Sequence, residues 1–343
     1  MKAVLCRELG SPDLLTIEDV PSPSLAPDQV RVRVHACGVN FPDVLMVAGK
    51  YQLQPPMPFS PGAEFSGEIV AVGDDCRTFA VGQRVLAITG FGGMAEEASV
   101  AEHSVVAIPD GLDYETAAGF LLAYGTSWHA LRQRAMLVNG ETLLVLGAAG
   151  GVGLAAVQIG KMMGARVIAA AGTTEKLRLA RQNGADECVN YSGTRLKEAV
   201  RELTSGRGAD VIFDPVGGEL FDDCLRSVAW AGRILIVGFA GGTIQSIPAN
   251  LPLLKGSSLV GVFWGQFTKH EPHIHRQNTA ELIAALDQGK LKPHIGAVFP
   301  LERAADALQT LVERRATGKV VVCMPSHDSA DDRNSAAVGI KSN

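Results

Sequence analysis

The chain has 343 residues, of which 47% are hydrophobic and 20% charged, and this length and composition favour about two domains of an ordinary globular enzyme. Its formal net charge of −5 offers no broad basic surface that could neutralise a nucleic-acid backbone, so we expect no nucleic-acid partner. The six cysteines are scattered without a Cys-x-x-Cys pair, which argues against a zinc knuckle and against a disulfide scaffold.

The first part of the chain contains short apolar runs bounded by Gly and Pro. Three of these runs alternate with polar residues, namely VRVRV (30–34), GEIVAVG (67–73) and QRVLAI (83–88). Short strands between turn residues predict a compact β-barrel-like unit. The N-terminal stretch MKAVLCRELG has only a four-residue apolar run, which does not fit a signal peptide, and we expect a cytoplasmic protein.

From about residue 125 to 265, strand-like and helix-like segments alternate. The strands are TLLVLG, RVIAAAG, ECVNY, DVIFDPVG and RILIVG, and the helices between them are VGLAAVQIGKMMG, TEKLRLARQNG, LKEAVRELT and FDDCLRSVAW. This alternation predicts a parallel sheet with helices on both faces. Residues 142–160 carry no charge, but their clustered glycines favour a strand–turn–helix unit over a membrane span.

The last part of the chain holds two helical patterns, TAELIAALDQG and LERAADALQTLVERRATG, followed by a strand, KVVVCMP. The three histidines of HEPHIH (270–275) could suggest a metal site. No metal-site signature accompanies them, and we expect a polar surface loop. Residues 326–343 are polar with little apolar periodicity, which predicts a disordered tail.

A glycine-rich turn lies between the first strand of the alternating region and the helix that follows it. The motif AAGGVG has Ala148 at the usual first glycine position and then supplies Gly150, Gly151, Val152 and Gly153. Glycines at such a turn let the backbone approach a pyrophosphate, which the free N–H groups and the dipole of the helix N-terminus stabilise. In this context the turn predicts a dinucleotide cofactor.

The second strand of the region indicates which dinucleotide is bound. An NAD enzyme carries Asp or Glu about 20 residues after the glycine turn, where it holds the adenosine ribose. Here the strand ends in Ala170, Ala171 and Gly172, with no carboxylate to repel a 2′-phosphate. Thr173 and Lys176 follow at the start of the next helix. A lysine at such a position is often only solvated, but together with the missing acid it favours NADPH.

Two segments of the first region have the spacing of a metal site without its ligands. GVNFPDVL (38–45) has Asn40, and PGAEFSG (61–67) has Ala63, where zinc would require a thiolate or an imidazole. We therefore expect no bound metal. Without a Lewis acid to polarise a carbonyl, alcohol oxidation is poorly supported, whereas a quinone or a conjugated enone needs less activation.

The barrel, GVNFPD, PGAE, AAGGVG and VNY, in this order, resemble the medium-chain dehydrogenases/reductases. YGT, GRI, GFAGG and the ATGK ending are most similar to the zinc-free quinone oxidoreductases and to the quinone oxidoreductase-like proteins. The resemblance covers residues 1–325. It implies an α/β fold in which residues 1–122 and 266–325 form a GroES-like β-barrel catalytic domain. Residues 123–265 would form a Rossmann domain with a doubly wound parallel sheet.

The resemblance also implies which residues form the acceptor end of the site. In zinc-containing relatives the place of Asn40 is a zinc-binding Cys and that of Ala63 a zinc-binding His, whereas Glu64 remains. Asn40 and Thr126 would line the nicotinamide and substrate end as catalytic candidates, and Asp43 would support its loop. The segments that flank this end would include Gly238, Phe239, Phe263 and Trp264.

At the adenosine end, the resemblance implies that Tyr191 packs near the 2′-phosphate together with Lys176. Arg315 aligns with an arginine that reaches this phosphate in some relatives, and the adjacent Arg314 is the alternative. A further implication is a homodimer, built by pairing the edge strand 257–265 across a two-fold axis.

Three functions remain open from the sequence. The first is NADPH-dependent reduction of quinones. The second is reduction of an enone or enoyl thioester, in which Tyr51 protonates the developing enolate, because this residue takes the place of a catalytic tyrosine in related enoyl reductases. A pocket-wall role for Tyr51 is the alternative. The third is an NADPH-binding sensor or structural protein without turnover.

Overall fold

The computed structural model describes residues 1–325, and the tail 326–343 predicted to be disordered lies outside the described residues. The chain forms one large mixed sheet, one six-stranded parallel sheet and a small two-stranded sheet. The predicted α/β class, with a barrel-like unit and a doubly wound parallel sheet, is confirmed. Among residues 1–325, no helix is both long and apolar enough to cross a membrane.

The barrel unit is built mainly from the first part of the chain. Alternating burial along VRVRV, in which the valines face the core, explains why this segment is a strand. The strands are β1 (Lys2–Leu5), β2 (Thr16–Asp19), β3 (Gln29–Val39), β4 (Glu64–Val72), β5 (Arg84–Ile88), β6 (Glu97–Ala101) and β7 (Val105–Ala107). Two strands from the end of the described chain, β14 (Ile295–Pro300) and β15 (Lys319–Cys323), complete the sheet in the order β14-β15-β3-β4-β5-β7, and β6 pairs with β3.

The parallel sheet has the order β10-β9-β8-β11-β12-β13, and every pairing in it is parallel. This order reverses between β8 and β11, and open α/β sheets bind ligands at the carboxyl ends of the strands beside such a switch. The strands are β8 (Thr142–Leu146), β9 (Arg166–Ala171), β10 (Glu187–Asn190), β11 (Ala209–Asp214), β12 (Val228–Ile236) and β13 (Ser258–Gly261).

Eleven α-helices lie within the described residues. Those that follow strands of the parallel sheet cover its two faces, because their apolar sides pack on the buried strands. The helices are α1 (Phe41–Val47), α2 (Tyr114–Ala118), α3 (Leu121–Trp128), α4 (Gly151–Met162), α5 (Thr174–Gln182), α6 (Leu196–Leu203), α7 (Leu220–Ser227), α8 (Asn250–Lys255), α9 (Trp264–His270), α10 (Pro272–Asp287) and α11 (Ala304–Val312).

Three predicted segments differ from the structure. The helix expected over FDDCLRSVAW ends at Ser227, because the next residue, Val228, is fully buried and opens β12 against β11. HEPHIH is not a loop, since it contains the end of α9 and the start of α10, where His275 lies edge-on to Trp264. The edge strand expected over 257–265 is shorter, because α9 begins within it.

The two units meet along α3 and the last strand. The α10 helix packs on α3, where the Trp128 indole N–H donates to the Asn278 side-chain oxygen at 3.2 Å. Gly318, just before β15, forms a bridge with Gly150, so the end of the barrel sheet touches the glycine turn. The domain boundaries at residues 122 and 265 stay a prediction.

Candidate active site and cofactor site

The glycine turn connects β8 to α4 in the geometry of an anion-binding site. Gly150 is the N-cap residue of α4, and its N–H donates to the carbonyl of Gly147 at 2.9 Å. A Cβ on Gly153 would lie 2.2 Å from the Gly147 carbonyl oxygen, so only glycine lets the helix come this close to the strand. The first-turn N–H groups of α4 lack intrahelical acceptors and face the end of the sheet. These residues fit a pyrophosphate.

The carboxyl end of β9 carries no acid. It ends at Ala171, and the next helix, α5, begins after Thr173, whose hydroxyl accepts the Lys176 backbone N–H at 3.3 Å. The Tyr191 ring lies against Gly172, where a Cβ would be 3.4 Å from its Cε2 atom. This end of the sheet fits an adenosine ribose that carries a phosphate. Gly172 leaves room beside the Tyr191 ring, and no carboxylate at the end of β9 would repel the phosphate.

Two cations converge on this end of the site. The Lys176 ammonium donates to the backbone carbonyl of Arg314 at 2.6 Å, and the Arg314 guanidinium donates to the carbonyl of Gly241 at 2.8 Å. Burial lowers the pKa of Lys176. Burial raises the pKa of Tyr191, and the nearby charge of Arg314 partly offsets this rise.

Arg315 is directed elsewhere. Its guanidinium pairs with the carboxylate of Glu313, and its side chain is 61% exposed. The backbone of Arg314 is in the left-handed region, with φ of 57°, so the two neighbouring side chains leave the chain in different directions. The structure therefore brings Arg314 to Tyr191 and Lys176, and it does not bring Arg315 there.

The segments predicted to flank the nicotinamide lie at the carboxyl ends of β12 and β13. Gly238 and Phe239 follow β12, and the Phe239 ring approaches Gly217, whose Cβ would be 3.1 Å away. Phe263 is 49% exposed. Trp264 is buried and packs on α3, where a Cβ on Gly125 would lie 2.8 Å from its ring.

Thr126 is half-buried on α3, one residue after Gly125. The neighbouring Ser127 hydroxyl donates to the carbonyl of Val152 at 2.8 Å, which ties α3 to the first turn of α4. This contact joins the helix that contains Thr126 to the cofactor turn. The role of Thr126 on the nicotinamide side stays a prediction.

Asn40 lies in a buried polar cluster that includes a residue the sequence analysis missed. The Lys319 ammonium donates to the Asn40 side-chain oxygen and, at 3.1 Å, to Glu64 Oε2. The amide of Asn40 donates to Glu64 Oε2 at 3.2 Å and to the Gly38 carbonyl at 3.1 Å. The Glu64 side chain is 0% exposed and that of Lys319 is 5% exposed. Both amide donors of Asn40 are thus engaged within the protein.

Asp43 supports the loop around this cluster, as predicted. Its carboxylate accepts the backbone N–H groups of Asn40 at 2.8 Å, Gly62 at 3.2 Å and Ala63 at 3.1 Å. Burial raises the pKa of this carboxyl to about 6, while the three N–H groups and the charge of Lys319 oppose the rise. Asp43 therefore joins the two segments whose spacing suggested a metal site.

Tyr51 is half-buried beside the barrel core. Burial raises the pKa of its phenol, and the charge of Asp43 adds to the rise. The phenol is therefore protonated at neutral pH and could donate a proton, but it is a weaker acid than an ordinary tyrosine.

The donor set at Asn40 does not fit zinc. An amide, the methyl group of Ala63 and a buried ammonium stand together there, and an ammonium repels a divalent cation. Among residues 1–325, no group of three or more His, Cys, Asp or Glu side chains could hold a metal ion.

Two family models match the chain. The alcohol dehydrogenase GroES-like domain matches residues 26–110, and the zinc-binding dehydrogenase matches residues 151–284. The quinone oxidoreductase-like protein 2 of Bos taurus is 44% identical over 324 residues, which are 94% of this chain and 92% of that protein. The quinone oxidoreductase of Homo sapiens is 36% identical over 327 residues, covering 94% of this chain and 98% of that protein.

Solved structures agree with these matches. A quinone oxidoreductase from Pseudomonas syringae pv. tomato DC3000 superposes with a TM-score of 0.88 at 31% identity, over 94% of this chain and 99% of that one. A mycobacterial protein in complex with NADPH superposes with a TM-score of 0.89 at 31% identity, over 94% of this chain and 100% of that one. The chain therefore belongs to the quinone oxidoreductase family of the medium-chain dehydrogenases/reductases, and it is an oxidoreductase with a GroES-like domain and a Rossmann-like domain.

Proposed function

We propose that the chain reduces quinones with NADPH and without a bound metal. The observation that carries this proposal is the Lys319 ammonium, which bonds to Asn40 and Glu64 where zinc-containing relatives hold their metal. With no zinc-grade ligand at Asn40 or Ala63, no Lewis acid is available to activate an alcohol or a simple carbonyl. Quinones accept reducing equivalents readily and can take their protons from water.

The preference for NADPH follows from the adenosine end of the site. No carboxylate ends β9, the charge of Arg314 lies near Tyr191, and the Lys176 ammonium bonds to the backbone of Arg314. A 2′-phosphate would accept charge-assisted hydrogen bonds from these two side chains, whereas the 2′-hydroxyl of NADH offers them only a neutral partner. We assign the phosphate contact to Arg314 instead of Arg315, because Arg315 is paired with Glu313.

NADPH, when bound, supplies a hydride. The residues of the chain then act mainly by position. The first turn of α4 binds the pyrophosphate, Thr126 and the segments after β12 and β13 border the nicotinamide, and the cleft beside Asn40 holds the acceptor within reach. In this proposal Asn40 is a wall of the site, since both of its amide donors are engaged within the protein.

A second candidate reaction is the reduction of an enone or enoyl thioester, with Tyr51 as the proton donor. It is favoured by the half-buried position of the Tyr51 phenol close to Asp43, which keeps the phenol protonated. The raised pKa counts against it, because a general acid is most efficient when its pKa lies near the working pH. This comparison favours the quinone.

The two reactions are separated by comparing Tyr51→Phe with the wild type on quinones and on small enones. Under the quinone proposal, turnover should change only a few-fold, whereas loss of an essential proton donor should cost on the order of 10²–10⁴ in kcat. Tyr114→Phe is the matched control, because Tyr114 stacks on His35 and has no predicted role in the site. Reduction of enones but of no quinone, together with a collapse of activity in Tyr51→Phe alone, would refute the quinone proposal.

The same assay tests the non-catalytic alternative, since a sensor or structural protein would bind NADPH without oxidising it.

We further propose a cytoplasmic homodimer that pairs through β13. This strand lies at the edge of the parallel sheet, and an unpaired edge next to exposed apolar side chains such as Phe263 is an aggregation hazard. Sedimentation showing only monomers at micromolar concentration would contradict the dimer.

A further inference from the structure

The buried side chain of Lys319 extends from the cofactor turn to the polar cluster around Asn40 in the barrel unit. It is the first residue of β15, and its stem passes Gly151, where a Cβ would lie 3.0 Å from the Lys319 Cδ atom. The preceding residue, Gly318, donates its N–H to the carbonyl of Ala149 at 2.7 Å. The backbone before Lys319 is therefore fixed to the turn, and its side chain starts there.

The ammonium of Lys319 is only partly committed to its present partners. Two of its three N–H groups point to Asn40 and Glu64. The Glu64 carboxylate has further donors, since it accepts the backbone N–H of Leu122 at 2.7 Å and the amide of Asn40 at 3.2 Å. These neutral donors would continue to satisfy Glu64 if the ammonium were shared with a second anion.

The helix that follows the cofactor turn supplies no cation near the turn. The first turn of α4 contains no basic side chain, and the only basic residue of that helix, Lys161, lies in its last turn. A pyrophosphate brings two negative charges to this place. Arg314, near Tyr191, and Lys176, bonded to the backbone of Arg314, belong to the proposed adenosine end. Lys319 is the cation whose stem touches the turn itself.

We propose that Lys319 is a cofactor-binding residue for the nicotinamide half of NADPH, and that its ammonium is shared between Glu64 and the phosphate on that side. A contact of this kind would hold the nicotinamide end of the cofactor next to Asn40. The inference rests on the proposed cofactor and is independent of the proposed acceptor.

The competing explanation is that Lys319 only neutralises the buried Glu64. Removing one partner of a buried ion pair leaves an uncompensated charge, so a single substitution of Lys319 would confuse the two roles. We therefore compare Lys319→Met, Glu64→Gln and the double variant. For each, the Tm of the ligand-free protein and the Kd of NADPH are measured, the latter by fluorescence and without an acceptor.

A second ligand separates the two halves of the cofactor. Adenosine 2′,5′-bisphosphate contains the adenosine and the 2′-phosphate but lacks the nicotinamide half. Lys176→Ala serves as the reference variant, because it should weaken both this probe and NADPH. A residue that serves the nicotinamide half should weaken NADPH and leave the probe unchanged.

We expect the double variant to regain most of the Tm lost in Lys319→Met while it binds NADPH about ten- to a hundredfold more weakly than the wild type, with the Kd of the probe unchanged. Glu64→Gln alone should bind NADPH a few-fold more tightly than the wild type, because the ammonium loses its competing anion. This single variant keeps the test decisive if Lys319→Met does not fold.

Recovery of both the Tm and the wild-type Kd of NADPH in the double variant would overturn the proposal, since it would show a counter-ion only. Unchanged or weaker NADPH binding in Glu64→Gln, or an equal loss for NADPH and the probe in the double variant, would overturn it as well. A wild-type chain that binds NADPH but reduces no quinone would refute the proposed reaction and leave this inference standing.

Discussion

The proposed contact of Lys176 and Arg314 with the 2′-phosphate of NADPH gives a specific prediction about cofactor choice. Both cations donate to neutral backbone carbonyls in the ligand-free chain, and no carboxylate pairs with either of them among residues 1–325. A charge-assisted hydrogen bond contributes roughly 1.5–3 kcal/mol, and every 1.4 kcal/mol is a factor of about ten in Kd. Lys176 is half-buried, so Lys176→Ala should weaken NADPH by about ten- to a hundredfold.

Arg314 is exposed to solvent, which screens its charge, so Arg314→Ala should weaken NADPH by only about five- to tenfold. The two effects should not add, because the Lys176 ammonium is bonded to the Arg314 backbone and their positions are coupled. The Kd of NADH should change little in either variant, since it has no 2′-phosphate.

The measurement is the Kd of NADPH and of NADH by fluorescence titration at a fixed salt concentration. Arg315→Ala is the matched control, because this neighbouring arginine pairs with Glu313 and should leave both Kd values near those of the wild type. Equal losses for NADPH and NADH in Lys176→Ala would refute the reasoning, as would a larger effect of Arg315→Ala than of Arg314→Ala.

Three further predictions concern the scaffold. Gly153→Ala should weaken NADPH and NADH alike by more than about tenfold, because its Cβ would lie 2.2 Å from the Gly147 oxygen, whereas Gly193→Ala, in open space, should bind both normally. The pKa of Asp43 is raised from 3.8 to about 6, so this carboxyl keeps its proton to a higher pH in the folded state than in the unfolded state. The free energy of unfolding of the wild type should therefore fall by about 2 kcal/mol relative to Asp43→Asn between about pH 4.5 and 7.5, measured by urea denaturation; an unchanged difference would contradict it. Elemental analysis after incubation with zinc should find no stoichiometric metal, and about one zinc per chain would contradict the assignment at Asn40.

Local constraints explain what the sequence made predictable. Contacts between residues close in sequence determine which residues the glycine turn can have, since a side chain on Gly153 would collide with Gly147. The alternating pattern of β3 arises because one face of the strand is buried. The α/β class and the turn were therefore predictable. The helix expected over FDDCLRSVAW was too long, because burial of Val228 in the sheet outweighs the helical pattern.

Long-range contacts explain what the sequence did not reveal. Lys319 meets Asn40 across 279 positions of the chain, and only the packing of β15 beside β3 brings them together. From sequence alone, a lysine at the start of an apolar strand is normally predicted to be exposed to solvent. The choice between Arg314 and Arg315 depends on the left-handed backbone of Arg314, which no local pattern in ERRATGK indicates.

The central claim is tested most directly by steady-state oxidation of NADPH with a panel of quinones, before and after treatment of the purified chain with a chelator. The account predicts robust turnover with NADPH, much weaker use of NADH at equal concentration, and no loss of activity to the chelator. Turnover that disappears with the chelator and returns with zinc, or oxidation of NADPH by small enones but by no quinone, would contradict it.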